Sequence, residues 1–441
     1  MPRTRRGTHF NNSIVRPKRS KRALVGALIT LSLVSFGAYR VFQPGKPRLS
    51  QILHLSPTLT KDSLGVSLRH SLESTSNESF LPVHVDLPIR NKSTPVILQY
   101  SIDSRLQVDM EALFHTYRPD YGAFVALDPE TGRILSLISY SHASPGIGNL
   151  ALKGNLPSAS VFKVVTAAAA MAGGKLSPES LIAVNGQYHT LYRRNVLNPH
   201  NNRWTRYISL REAFAKSVNT AFGRIGAFFV GPQEMTKYAL AFGFNRAIAS
   251  DLPFEQGRAS ITDDAWKLAE AASGYTQENT MSPLQGALIA SAIANDGKMM
   301  EPYMVQSVYT EKGENLYTVQ PELVTVSVDS ATALKVRELM SETVQHGTAR
   351  GTFRPFFKHN PLASSLEIGG KTGSLTGRDP RGKYDWFIGY ARSKSGKKIA
   401  FAALTIHKEF WRVKSAYLAR RAIESYFSAP AIYVSAINNN F

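Results

Sequence analysis

The chain has 441 residues, no cysteine and a formal net charge of +20. The length allows one large domain or two modest ones, and the absence of cysteine excludes disulfides, thiolate metal sites and cysteine nucleophiles. The first 22 residues hold eight Lys and Arg and no acid, so the remainder has 52 − 8 = 44 basic against 32 acidic residues, a balance of +12.

The N-terminal residues predict a cytoplasmic basic tail (1–22) and one transmembrane helix (23–42), whose sequence is uncharged from Ala23 to Tyr39. Such a run is near the lower limit for spanning about 30 Å of hydrocarbon, and the preceding basic residues predict that the rest of the chain is exported. A cleaved signal peptide is the alternative, but Ser35–Gly37 offers only a marginal cleavage site. We therefore expect a single-pass protein of the inner (cytoplasmic) membrane with a periplasmic or otherwise extracytoplasmic domain.

The positive charge of the exported part suits anionic envelope polymers or lipid headgroups. No nucleic-acid partner is expected, because export argues against one and the sequence has no aromatic-studded basic motif.

Residues 43–96 are rich in Pro, Ser, Thr and Asn and predict a stalk with one short strand in FLPVHVDLP. A globular domain is expected over 97–428, followed by a C-terminal tail at 429–441. The domain begins with a strand, PVILQYSI, a capped helix at 103–117 and a hairpin at 121–141. Helical segments are predicted at 161–174, 210–229, 232–243, 282–297 and 330–347.

Three strands at 366–376, 384–393 and 397–407 and a helix at 413–427 end the predicted domain, with a basic loop at 376–385. This order predicts an α+β fold. The first hairpin joins the three late strands in a five-stranded antiparallel sheet packed between helices, with a helical subdomain from the middle of the chain.

The first candidate site is Ser160-Val161-Phe162-Lys163 at the start of an Ala-rich helix. Residues at i and i+3 share a helix face, and the helix dipole stabilises a developing alkoxide in the first turn. Lys163 can then accept the Ser160 proton if desolvation keeps the amine neutral. The alternative is an ordinary helix start with a solvated lysine, which the motif alone does not exclude.

Two further motifs carry suitable groups. In Ser217-Val218-Asn219, a hydroxyl and an amide face one cleft if the backbone turns there; the alternative is a plain turn element. In Lys371-Thr372-Gly373-Ser374, a strand places Lys371 and Gly373 on one side. Ser374 offers a hydroxyl for a carboxylate and a backbone N–H for an oxyanion hole. The alternative for the last motif is an edge strand protected by a lysine.

Taken together, Ser-x-x-Lys, Ser-x-Asn and Lys-Thr-Gly in this order resemble the penicillin-recognising acyl-serine transferases. The chain is most similar to the transpeptidase domain of membrane-anchored, monofunctional penicillin-binding proteins, with a penicillin-binding protein/β-lactamase-like fold. The resemblance extends to YSIDSRLQ, GAFVALDPETGRILSLIS, MSPLQGALIASAIANDGKMMEPYMV and YDWFIGYA.

The resemblance implies a D,D-transpeptidase that cross-links peptidoglycan stem peptides ending in D-Ala-D-Ala and is acylated by β-lactams. Ser160 is then the nucleophile and Lys163 its base, and Ser217 passes protons to the leaving amine. Asn219 holds the substrate amide, and Lys371 tunes the proton network and attracts the substrate carboxylate.

Thr372, Gly373 and Ser374 are implied to bind substrate, with Ser374 at its terminal carboxylate and the Ser160 and Ser374 amides forming the oxyanion hole. No metal or cofactor is expected. A membrane glycosyltransferase is an allowed partner, although the stalk is too short to hold a pedestal domain for that contact.

Two other functions stay open on the sequence. The same acyl-serine chemistry serves a D,D-carboxypeptidase or a β-lactam-hydrolysing enzyme, although Asn219 speaks against the β-lactamase class whose second motif ends in Val. A non-catalytic envelope scaffold or a β-lactam sensor is the alternative of another class.

Overall fold

A computed structural model of the chain describes residues 59, 64–66, 83–89, 92–144, 147–198 and 200–428. The predicted N-terminal tail, anchor and C-terminal tail lie outside these residues, as does most of the predicted stalk. Within the described ranges, no helix combines the length and the apolar character needed to cross a membrane.

Fifteen strands and eleven α-helices are described. The strands are β1 His84–Ile89, β2 Lys92–Tyr100, β3 Tyr121–Leu127, β4 Ile134–Ser141, β5 Leu156–Pro157, β6 Leu181–Val184, β7 Arg206–Ser209, β8 Thr280–Met281, β9 Lys298–Met300, β10 Val305–Thr310, β11 Asn315–Thr318, β12 Leu323–Val326, β13 Leu366–Arg378, β14 Arg381–Ser393 and β15 Lys398–His407. The helices are α1 Ser104–Tyr117, α2 Lys163–Ala172, α3 Arg193–Leu197, α4 Leu210–Ala215, α5 Asn219–Arg224, α6 Gly231–Ala241, α7 Ala265–Ser273, α8 Pro283–Ala294, α9 Ser330–Gln345, α10 Arg350–His359 and α11 Ser415–Phe427.

The central sheet has five antiparallel strands in the order β13-β14-β15-β3-β4. The hairpin β3–β4 joins the three C-terminal strands through β15, where Phe124 pairs with Ala403. This confirms the five-stranded sheet that the sequence predicts from an early hairpin and three late strands. Strand β13, which holds the Lys-Thr-Gly motif, lies at one edge of the sheet.

Helices cover both faces of this sheet. Every residue of α8 is buried, as expected of a helix that is apolar all round and lies inside a domain. It packs on β14, β15 and β3, while α1 and α11 cover the other face. Alternate residues of β15 separate accordingly, with Ala402 and Leu404 in the α8 core and Phe401 and Ala403 in the other.

The helical subdomain is built mainly from α2 and α4 to α7, which pack on one another and on a π-helical segment, Ile225–Val230. A second sheet, in the order β1-β2-β10-β11, has its own small core around Leu98 and Val308.

Three features differ from the sequence-based expectation. The boundary predicted at residue 97 falls within β2. This strand begins at Lys92 and pairs with β10, which lies more than 200 residues later in the chain and so leaves no local signal in the sequence. The loop predicted at 376–385 is mostly strand, since β13 and β14 continue to a two-residue turn at Asp379–Pro380. The sequence does not predict helices α3, α7 and α10.

Candidate active site

Ser160 lies on a single turn of 3-10 helix, Ala159–Phe162, that leads into α2. Side chains three residues apart eclipse on a 3-10 helix, and the Ser160 Oγ and Lys163 Nζ atoms are 2.8 Å apart. The predicted i,i+3 pairing is confirmed, although the turn is 3-10 rather than α-helical. Ala159 enters it with a φ of +50°, a conformation that non-glycine residues adopt rarely and at a cost.

The Lys163 amine is fully buried between three oxygen atoms. Besides Ser160 Oγ, these are Asn219 Oδ1 at 2.8 Å and the Ser273 carbonyl oxygen at 2.5 Å. The amide and carbonyl oxygens can only accept hydrogen bonds, whereas the hydroxyl can also donate. A neutral amine therefore donates its two N–H groups to Asn219 and Ser273 and points its lone pair at the Ser160 proton.

The electrostatics favour this neutral form. Burial, and secondarily the charge of Lys371, hold the pKa of the Lys163 amine well below its ordinary range. The pair Ser160–Lys163 thus has the geometry of a nucleophile with its base, and the lowered pKa of the amine favours the neutral form that a base requires. The solvated lysine of an ordinary helix start is not what the structure contains.

A break between two helices positions the second motif. Helix α4 ends at Ala215, Ser217 has a φ of +56°, and α5 begins at Asn219. This turn is the one that the sequence requires for both side chains to face one cleft. The Asn219 Nδ2 atom donates to the His189 carbonyl oxygen at 2.8 Å, which fixes the amide with its oxygen toward Lys163.

The third motif brings a second buried lysine to the same place. Lys371 on β13 is fully buried, and its Nζ atom donates to Ser217 Oγ at 2.9 Å. Burial lowers the pKa of the Lys371 amine to about 7. The structure therefore excludes the alternative of a lysine that protects a sheet edge in solvent.

The rest of this motif connects β13 to the 3-10 turn Ala159–Phe162, which holds the candidate nucleophile Ser160 and is called the nucleophile turn below. A Cβ added at Gly373 would lie 3.1 Å from Val161 Cγ2 and 3.2 Å from Val161 N, so a glycine lets the strand pack closely against the 3-10 turn. The Thr372 hydroxyl lies 2.6 Å from the Thr348 hydroxyl. Ser374 is exposed and its hydroxyl donates to Asp385 Oδ1 at 3.4 Å.

The three motifs meet at a cavity of about 280 Å³. Among the predicted residues, those that line it are Ser160, Ser217, Asn219, Thr372, Gly373 and Ser374. Both lysines lie beneath this surface, in contact with lining residues. Within the described part of the chain, no group of three or more His, Asp or Glu side chains is placed to hold a metal ion.

Sequence analysis missed several groups of the site. Ser273 contributes a backbone oxygen, for which no side-chain pattern exists. Gly274 could have been recognised only as a helix C-cap, which carries no chemical signal. Asp385 is the single carboxyl of β14, and no pattern in its neighbourhood along the chain points to the cleft.

A serine paired with a buried lysine in an open cleft is the arrangement that serine enzymes with acyl intermediates use. The family described as penicillin binding protein transpeptidase domain matches residues 122–423. The chain therefore belongs to this family.

Several proteins of this kind are similar to the chain. Peptidoglycan D,D-transpeptidase PbpA of Mycobacterium tuberculosis is 30% identical over 322 residues, which cover 65% of this chain and 62% of that protein. Peptidoglycan D,D-transpeptidase MrdA of Acinetobacter baumannii is 25% identical over 309 residues, covering 63% and 44%. The chain thus spans less than two thirds of the length of either relative.

Solved structures of penicillin-binding proteins are also similar to the chain. The crystal structure of PBPA from M. tuberculosis has a TM-score of 0.62 at 26% identity and covers 75% of this chain and 82% of that one. An imipenem acyl-enzyme complex of penicillin-binding protein A from M. tuberculosis has the same TM-score and identity, with coverage of 75% and 79%.

The site geometry generates a prediction about Gly274, which follows the Ser273 carbonyl that holds Lys163. A Cβ at this position would overlap the Ala159 carbonyl oxygen in the nucleophile turn. We expect Gly274→Ala to reduce the rate of covalent labelling by a fluorescent penicillin at least about 100-fold, because a shift of about 1 Å in a nucleophile has effects of that size.

Gly174→Ala is the matched control. Gly174 has a φ of +66°, against +67° for Gly274, and a Cβ there would meet nothing within 4 Å. Both variants carry the same backbone strain, so both should lose some thermal stability, and only Gly274→Ala should lose labelling. Equal labelling rates in the two variants would contradict the proposed close packing.

Proposed function

We propose that the chain is a serine D,D-transpeptidase that cross-links peptidoglycan stem peptides through an acyl-enzyme on Ser160. The observation that carries this proposal is the fully buried Lys163 amine, whose Nζ atom lies 2.8 Å from the Ser160 hydroxyl oxygen and whose pKa is held well below its ordinary range by burial. Membership of the family and the names of the relatives support it, since two of them are peptidoglycan D,D-transpeptidases.

Acylation begins when Lys163 takes the Ser160 proton and Oγ attacks the carbonyl carbon of the penultimate D-Ala. The tetrahedral oxyanion is stabilised by the Ser160 and Ser374 backbone N–H groups. Collapse breaks the peptide bond, and the leaving D-Ala amine receives the proton that Lys163 took, through the Ser217 hydroxyl. An ester on Ser160 and free D-Ala result.

The lysine on β13 prepares Ser217 for this transfer. Lys371 donates to the Ser217 oxygen at 2.9 Å, so the hydroxyl proton is directed away from Lys371 and toward the cavity. Asn219 already uses its oxygen and one N–H within the protein, which leaves its second N–H for a substrate carbonyl.

Transfer follows when the amine of a neighbouring stem peptide attacks the ester carbonyl. The amine passes one proton through the Ser217 hydroxyl to Lys163, the C–N bond of the cross-link forms, and the ester C–O bond breaks. Lys163 then returns that proton to the departing Ser160 oxygen. These steps need only groups of the chain and the two peptides.

Covalent labelling tests the nucleophile. A fluorescent penicillin should label the full chain, and Ser160→Ala should abolish the label because no other group accepts the acyl chain. Ser158→Ala is the control, since the Ser158 hydroxyl is buried and without a hydrogen-bond partner, and it should keep the wild-type rate. Undiminished label on Ser160→Ala would refute the proposal.

Product analysis distinguishes transfer from hydrolysis. With a stem-peptide donor and an added amine acceptor, we expect a cross-linked product that increases with acceptor concentration, because the amine competes with water for the ester. Release of D-Ala with hydrolysed donor alone, at every acceptor concentration, would indicate the D,D-carboxypeptidase instead. Rapid turnover of the penicillin label would indicate a β-lactam-hydrolysing enzyme.

We further propose that residues 23–42 anchor the chain in the cytoplasmic membrane, with the catalytic domain outside. The basic tail and the apolar run of the sequence support this orientation. Protease added to intact spheroplasts should digest the domain, and a tag at residue 1 should stay protected until the membrane is permeabilised. A protected domain, or recovery of the full chain in the soluble fraction, would contradict the anchor.

A further inference from the structure

Asp385 is an acidic side chain at the end of the cleft that holds Ser374. It lies on β14, directly opposite Ser374 on β13 and Thr405 on β15. Only 8% of its surface is exposed, yet it lines the same cavity as Ser160. The proposed mechanism above gives it no part.

Hydrogen bonds fix the position of the Asp385 carboxyl. Its Oδ2 atom accepts from the backbone N–H of Ser415, the first residue of α11, at 2.7 Å, and the Ser415 hydroxyl donates to the Asp385 carbonyl oxygen at 2.5 Å. Its Oδ1 atom accepts from the Ser374 hydroxyl at 3.4 Å. The carboxyl is therefore held against the hydroxyl that the family resemblance implies binds the donor carboxylate.

The groups that face Asp385 come from three directions. Strand β13 contributes Ser374, and β15 contributes Thr405, whose hydroxyl also lies 3.1 Å from His407 Nε2. Burial lowers the pKa of the His407 imidazole, so the neutral form of this ring is favoured. Lys414, just before α11, lines the cavity and is the nearby cation.

Burial raises the pKa of the Asp385 carboxyl to about 6, although the Ser415 N–H and Lys414 favour its charged form. Asp385 is therefore mostly neutral below this pH and mostly charged above it.

We infer that Asp385 is a specificity-determining residue that sets the charge tolerated at the terminal group of the donor. The inference rests on the proposed function, together with the binding of the donor carboxylate by Ser374 that the family resemblance implies. In its charged form, Asp385 weakens the capture of that carboxylate without preventing it. In its neutral form, it does not oppose a carboxylate.

The hydrogen bonds of Ser374 also favour a carboxylate only when Asp385 is neutral. The Ser374 hydroxyl has one proton, and a charged Asp385 can only accept it. The donor carboxylate then finds no donor on Ser374. A protonated Asp385 instead donates to the Ser374 oxygen, so that the Ser374 proton is free to turn to the donor carboxylate.

The test compares benzylpenicillin, which carries a carboxylate, with its methyl ester, which does not. The second-order acylation rate constant of the full chain is measured for both between pH 5 and 8 at constant ionic strength. The readout is the carboxylate preference, defined as the ratio of the two rate constants. Ser160→Ala, measured in parallel, reports whether any label is on the proposed nucleophile.

We expect Asp385→Asn to raise the carboxylate preference about tenfold over the wild type at pH 7.5 and less than about twofold at pH 5. Because the pKa of Lys371 is about 7, its loss of charge also weakens carboxylate capture at higher pH. That effect is common to both proteins, so the comparison between them isolates Asp385.

Lys414→Gln is a second variant that leaves the hydrogen bonds of Asp385 intact. Removal of the cation should raise the pKa of Asp385, so the fall in carboxylate preference should move to higher pH. A merely structural role of Asp385 would not produce this shift. This variant keeps the inference testable if Asp385→Asn fails to fold.

The outcomes separate the inference from the function on which it rests. Labelling of Ser160 with equal carboxylate preference in wild type and Asp385→Asn at pH 7.5 would overturn the inference alone. An unmoved pH profile in Lys414→Gln would also overturn it. Absence of label from either probe, or label that persists on Ser160→Ala, would overturn the proposed function itself.

Discussion

The buried Lys163 amine is the constraint around which the site is arranged. An uncompensated ammonium in such a place would be costly, and the structure meets this cost with a neutral amine whose hydrogen-bonding capacity is fully used. Its three oxygen partners come from three segments far apart in the sequence: Ser160, Asn219 and Ser273. The Lys163 amine therefore has all its hydrogen-bond partners only if three segments converge: the 3-10 turn Ala159–Phe162, the start of α5 and the end of α7.

Several unusual backbone conformations follow from this convergence. Ala159 and Ser217 both have positive φ values, each at a cost of about 1–3 kcal/mol. The first aims Ser160 at Lys163, and the second lets Ser217 and Asn219 face one cavity. Glycines at 274 and 373 remove the side chains that would hold α7 and β13 away from the nucleophile turn. The surrounding core, with α8 buried against the central sheet, supplies the stability that such strain requires.

Charge is distributed unequally along the cleft. Two lysines are buried close enough for the charge of Lys371 to contribute to the lowered pKa of Lys163. Elsewhere in the cavity lining, the Asp385 carboxyl accepts a hydrogen bond from the Ser374 hydroxyl. The cleft thus contains a base, a cation and an acid whose charge states depend on burial more than on residue type.

Local sequence determined much of this protein. Alternation predicted the hairpin at 121–141 and the three late strands, Asp103 marked the start of α1, and spacing paired Ser160 with Lys163, because these signals depend on residues close together in the chain. Only the tertiary structure decided that the pKa of Lys163 is lowered, that the Asn219 oxygen accepts a hydrogen bond from Lys163, that β2 pairs with β10, and that Ser273 and Asp385 belong to the site. Each of these depends on burial or on contacts between residues distant in sequence, and neither is encoded in a local pattern.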